Sequence, residues 1–210
     1  MENKPHKYPA VFSLYTVILL VLSYGLAKDK ATYILEVVPI LILFPLLFFT
    51  YCKCRLTRLV YILIGIHFLV LCLGGIYTYA EVPLGFWMQE WFGFTRNNYD
   101  KIGHFAQGFV PALLVREVLL RTSPLRPGKW LVFIVTSICL AISALYEIFE
   151  WWVSVMQGAS AEAFLGTQGY EWDTQSDMLF CLIGAIVALI SLSRLHDRAL
   201  SKKSSSLPLC

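Results

Sequence analysis

The chain has 210 residues, 58% of them apolar and only 15% charged, with a formal net charge of +3 and a mean hydropathy of +0.65. A soluble domain is nearer a quarter charged, and a chain this short cannot hide so much apolar surface in one core. Composition therefore excludes a soluble globule, a disordered chain and a nucleic-acid binder, and leaves an all-α, polytopic helical membrane protein.

A bilayer core of about 30 Å takes roughly 20 apolar helical residues. Six stretches meet this, near 9–27, 32–51, 59–80, 101–120, 130–152 and 174–193. They predict a bundle of six transmembrane helices forming a single domain over 9–194. An N-terminal segment (1–8) precedes it and a basic tail (195–210) follows. The first stretch is long, and Ala27-Lys28-Asp29-Lys30 lacks the small-x-small pattern of a cleavable signal. Twelve Lys and Arg fall on the side of the termini, three on the other, and Lys101 and Arg116 lie inside the fourth span. The positive-inside rule then puts both termini in the cytoplasm. Arg116 and Glu117, near the inner end of that span, are expected to snorkel to the cytoplasmic surface.

The six cysteines show no zinc-ribbon spacing and no disulfide framework; Cys52 and Cys54 form a lone C-x-C. His67, mid-span among apolar neighbours, reads as a hydrogen-bonded core histidine. Two segments on the outer side are long. The one near 81–99 interleaves Trp87, Trp91, Phe92 and Phe94 with Gln89, Glu90 and Arg96, as an interfacial segment does. The one near 153–173 is rich in small residues and carries no Lys or Arg.

Three helix ends on the outer side carry paired polar residues. Asp100 and His104 are spaced i, i+4 at the start of the fourth span, so they share a helix face. Glu147 and Glu150, spaced i, i+3, lie at the C-terminal end of the fifth, where acids oppose the helix dipole. Asp173 and Asp177 open the sixth, with Asp173 also suited to an N-cap. If these faces converge, five carboxylates and one imidazole share an outward-facing pocket. Such a pocket needs protonated acids, a bound divalent cation, or neutralisation by Lys101 and Arg96. Below the pairs, Gln107, Gly108 and Pro111 continue the face of the fourth span, and Cys181, Gly184, Ala188 and Ser191 that of the sixth, where small residues would let helices approach closely.

The pattern Tyr99-Asp100-Lys101-x-x-His104-Phe105, then Glu147-x-x-Glu150-Trp151, Phe164-Leu165-Gly166-Thr167-Gln168-Gly169 and Trp172-Asp173-Thr174-Gln175-x-Asp177-Met178 resembles the YjdF family of bacterial inner-membrane proteins over essentially the whole chain. The Asp-Lys-x-x-His-Phe start and the later acidic helix opening also resemble VanZ-like membrane proteins, over about the last half. Both resemblances imply an inner-membrane location and a site at these residues.

The leading expectation is a pocket that acts on an envelope lipid or lipid-linked substrate. In it His104, Asp100, Glu150 and Glu147 carry acid–base work, with Asp100 orienting His104. Gln175, Gln168, Thr167 and Lys101 bind substrate. Asp173, Asp177, Glu150 and His104 are the candidate ligands of a divalent cation, and membrane lipids are the expected partners. A small ion- or proton-coupled transporter and a non-catalytic membrane scaffold are the alternatives.

Overall fold

A computed structural model describes residues 7–51, 53–157 and 168–204. Its helices are α1 (Lys7–Leu26), α2 (Lys30–Glu36), α3 (Val38–Thr50), α4 (Arg58–Tyr77), α5 (Pro83–Phe92), α6 (Tyr99–Thr122), α7 (Lys129–Gln157) and α8 (Asp173–Ser204), with a 3-10 turn at Tyr79–Glu81. No strand occurs among the described residues.

Local chemistry sets several of these boundaries. Asp29, in extended conformation, caps α2 by accepting a hydrogen bond from the Thr32 backbone N–H at 2.6 Å. Pro39 in the first turn of α3 favours a helix start there, and α2 and α3 meet at a 50° bend. Pro83 likewise opens α5. Gly93 closes it with φ +67°, in the left-handed region that a Cβ disfavours.

By length and composition, α1, α4, α7 and α8 can each cross a membrane, and the bent α2–α3 pair makes up to five crossings. The six crossings expected from sequence are therefore reached only by counting α6. At 24 residues α6 is long enough, but it carries Asp100, Lys101, His104, Arg116, Glu117 and Arg121.

The packing explains where so polar a helix can go. α6 lies at the centre, packed most extensively on α8 and also on α4 and α7, while α1 packs on α4. α6 and α8 meet at two glycines. A Cβ on Gly108 would stand 1.8 Å from the Cys181 carbonyl oxygen, and one on Gly184 would stand 2.1 Å from that of Phe105. Cys72, Cys139 and Cys181 are free and buried. Cys54 is disulfide-bonded, where the cysteine spacing had shown no disulfide framework.

The snorkelling expected of Arg116 and Glu117 does not occur: both are buried, Glu117 completely. α8 runs through Ser204, well past residue 195 where a tail was expected, and so brings His196 and Asp197 against them. Glu117 accepts hydrogen bonds from the Thr57 backbone N–H (2.8 Å) and hydroxyl (2.6 Å) and pairs with Arg121 (3.2 Å) and His196 (3.1 Å). Arg116 reaches His196 Nδ1 at 3.0 Å and pairs with Asp197 at 2.6 Å. Burial is tolerated because each charge meets partners.

Candidate functional site

The opposite end of the bundle gathers the N-terminal ends of α6 and α8, the C-terminal end of α7, the 3-10 turn and the α2–α3 bend. Asp100, Lys101 and His104 come from one and a half turns of α6. Lys101 Nζ lies 2.6 Å from Asp177, 2.7 Å from Asp173 and 3.5 Å from Asp100. Arg96 adds a second cation at 2.6 Å from Asp173. Of the three routes to neutralisation, these two side chains supply one directly.

His104 faces the other way round the cluster. Its Nε2 lies 3.3 Å from Asp100, 3.7 Å from Asp177 and 3.8 Å from Glu147. Its Nδ1 lies 3.0 Å from Gln107 Oε1, so both ring nitrogens face acceptor oxygens. Glu147 Oε1 is buried with no hydrogen-bond partner. Asp100, His104 and Asp177 offer three ligand atoms within 4.8 Å of one another. One imidazole and two carboxylates suit a divalent cation, although Lys101 Nζ already stands against Asp177 from the other side.

Beneath the cluster lies a cavity of about 560 Å³. Its polar end is formed by Glu36, Tyr79, Asp100, His104, Gln107, Tyr146 and Glu150. Its body is apolar, between α3 (Val38, Pro39, Ile42, Leu43), α4 (Ile64, Phe68, Leu71), α6 (Val110, Pro111, Leu114, Val115) and α7 (Ile142, Leu145, Phe149). From Asp100 to Leu114 the α6 wall descends about 21 Å at 1.5 Å per residue. Tyr79 is wedged there between α4 and α6. A Cβ on Gly74 would lie 2.1 Å from its ring and one on Gly103 2.7 Å away, so both helices need glycine to seat it.

The cavity is open sideways. α3 packs on α1 and α2, and residues of both α3 and α7 line the cavity. Ile42 on one lip and Leu145 on the other line the cavity, yet both are 65% exposed.

The predicted residues thus divide. His104, Asp100 and Glu150 reach the cavity, with Glu147, Asp177 and Asp173 packed beside them on the side of Lys101. Lys101 is turned to its carboxylates and away from the cavity. Gln168 is occupied elsewhere: its Nε2 donates to the Asn97 carbonyl at 2.7 Å and its Oε1 accepts from the Asn97 N–H at 3.1 Å. Gln175 is exposed and outside the cavity. Thr167 lies outside the described residues.

Sequence reasoning gave no role to Tyr79 and Tyr146. Glu36 is buried and within electrostatic reach of Asp100 and His104. An acid inside an otherwise apolar predicted span was the available signal for it. His67, expected to be hydrogen-bonded, instead lines the cavity with an unpartnered Nε2.

A bundle of apolar helices around one polar central helix, with a charged cluster over a laterally open cavity, defines a multi-helix membrane protein. The chain belongs to the family described as "Predicted membrane protein (DUF2238)", whose model matches residues 8–198. It is 49% identical over 191 residues to "Inner membrane protein YjdF" of Escherichia coli (strain K12), covering 90% of this chain and 91% of that protein. No solved structure matches it.

Proposed function

We propose that this is a six-crossing inner-membrane protein whose cavity takes an envelope lipid or lipid-linked substrate from the bilayer, presenting its polar end to His104 for proton transfer. The cavity supports this reading: it is apolar-walled, open toward lipid between α3 and α7, and headed by ionisable groups. Asp100 orients the His104 ring, and Glu147 and Glu150 are the nearby carboxylates able to exchange a proton with it. The positive-inside distribution puts this end on the periplasmic side and both termini in the cytoplasm.

The test is turnover of envelope lipid extracts by purified protein, compared with His104→Ala and Glu150→Gln. Loss of at least 100-fold in both variants is expected, on the scale of general acid–base catalysis. Activity unchanged in both would remove the catalytic reading. Metal analysis of wild type beside His104→Ala separates the two roles of the imidazole. A stoichiometric divalent ion lost in the variant would make His104 a ligand; equal, substoichiometric metal in both keeps it a proton carrier.

Ion- or proton-coupled transport is the second reading, favoured by one observation. The buried Arg116, Glu117 and His196 give the far end an enclosed ionisable group, where Arg116 and Glu117 were expected to snorkel to the surface. Between the two ends, however, Val60, Ile64 and Leu113 are essentially fully buried. Cation-driven flux in proteoliposomes, abolished by Glu117→Gln, would promote this reading over the first.

A further inference from the structure

The charge of the cavity's polar end selects the kind of lipid it accepts. Three carboxylates, of Glu36, Asp100 and Glu150, belong to its wall. No Lys or Arg does among the described residues. Lys101 and Arg96, the cations closest to the cluster, are committed to Asp173 and Asp177 on its other side. Asp100 is met by Lys101 at 3.5 Å and by the His104 imidazole at 3.3 Å, whereas among the described residues no Lys or Arg reaches Glu36 or Glu150 in the cavity wall. The phenol rings of Tyr79 and Tyr146 stand in the same wall, within electrostatic reach of Glu36 and Glu150.

Carboxylates with aromatic faces in a desolvated site are the recognition chemistry of an organic ammonium. An anionic phosphate or carboxylate head would meet like charge there, at a cost that rises as water is excluded. A second observation marks the cavity as built for an occupant. The His67 ring lies in its wall at 7% exposure, and Nε2 makes no hydrogen bond. Unpaired buried polar atoms are rare in native folds, and one in the wall of a cavity points to an occupant.

From these observations we infer that the cavity binds a long-chain amphiphile with a cationic ammonium head, the head among Glu36, Glu150 and the two tyrosines and the chain running down toward Leu114. This rests on the lipid-pocket reading above and narrows it to a class of headgroup.

Three probes of equal chain length test it with full-length protein in a neutral maltoside detergent: hexadecylamine, hexadecanol and palmitate. Binding is read by thermal stability and by displacement of a dansylated alkylamine. Hexadecylamine is expected to bind at least tenfold more tightly than hexadecanol, and palmitate more weakly than both. Glu36→Gln and Glu150→Gln should each weaken the amine at least tenfold while leaving hexadecanol unchanged, which also shows that the variants keep the folded cavity. Palmitate binding as tightly as the amine, or an amine affinity unmoved in both variants, would overturn the ammonium assignment. Equal binding of amine and alcohol would also overturn it but leave the lipid pocket standing. Binding of none of the three would remove both.

Discussion

Lys101 is the side chain on which the acidic cluster depends. Its ammonium stands within 2.7 Å of two carboxylates and 3.5 Å of a third, almost out of contact with water. Removing one member of a buried ion network leaves uncompensated charge at a cost of about 3–5 kcal/mol. Lys101→Met is therefore expected to lower the unfolding midpoint in a denaturing-detergent titration by that order. The additional change Asp177→Asn should restore part of it, because the surplus negative charge falls. Asp29 predicts a milder, pH-dependent effect. The Thr32 N–H that it accepts holds its carboxyl below the usual range. Its contribution is thus present above about pH 3.9, the unfolded value, and fades as pH falls through the lower folded one. Asp29→Ala should cost about 0.5–1 kcal/mol at neutral pH and flatten that acid limb in stability against pH. At this scale the sequence was informative about which residues pair along a helix, since Asp100 and His104 follow from spacing alone. It did not say that Lys101 would turn toward Asp173 and Asp177, because that depends on the register of α6 against α8, more than 70 residues apart.

That register is fixed by two helices pressed together at glycine. Gly108 and Gly184 each leave no room for a methyl group against the partner's backbone, and a backbone carbonyl cannot swing aside as a side chain can. Gly108→Ala should therefore separate α6 from α8 and cost about 1–3 kcal/mol, as overpacking does. Gly25→Ala, with nothing within 4 Å, should leave the unfolding midpoint where it is or raise it slightly. Pulling α6 from α8 should also weaken the contact of Lys101 with Asp177, so Gly108→Ala and Lys101→Met are expected to be less than additive. The small residues below the polar pairs were visible in the sequence as a stripe that favours close approach. The bent α2–α3 pair was less legible: 32–51 reads as one apolar run, and hydropathy does not register that Val37 begins a new helix direction. That bend is what swings Glu36 into the cavity. The continuation of α8 beyond residue 193 was hidden for the opposite reason: its last three turns are polar, and hydropathy ends a span where the helix does not end.

For the molecule as a whole, a helix with charged residues at both ends lies at the centre of the bundle. α6 can cross a membrane only because α4, α7 and α8 surround it and answer its charges at both ends. The six crossings proposed above would put Lys28 on one side and Lys202 on the other. Single cysteines at these exposed positions are expected to differ in labelling by a membrane-impermeant maleimide on intact cells, Lys28→Cys reacting and Lys202→Cys reacting only after lysis. Both reacting from outside would reverse the assigned orientation or change the number of crossings.

Val60 and Leu113 are completely buried, and Ile64, in the cavity's own wall, is almost so, which would give the proposed lipid pocket a one-sided economy. With the same door for arrival and departure, whatever slipped in between α3 and α7 would have to back out into the leaflet it came from. On that reading, and unless the packing there rearranges, the protein would sample the lipids of a single leaflet and leave the other untouched.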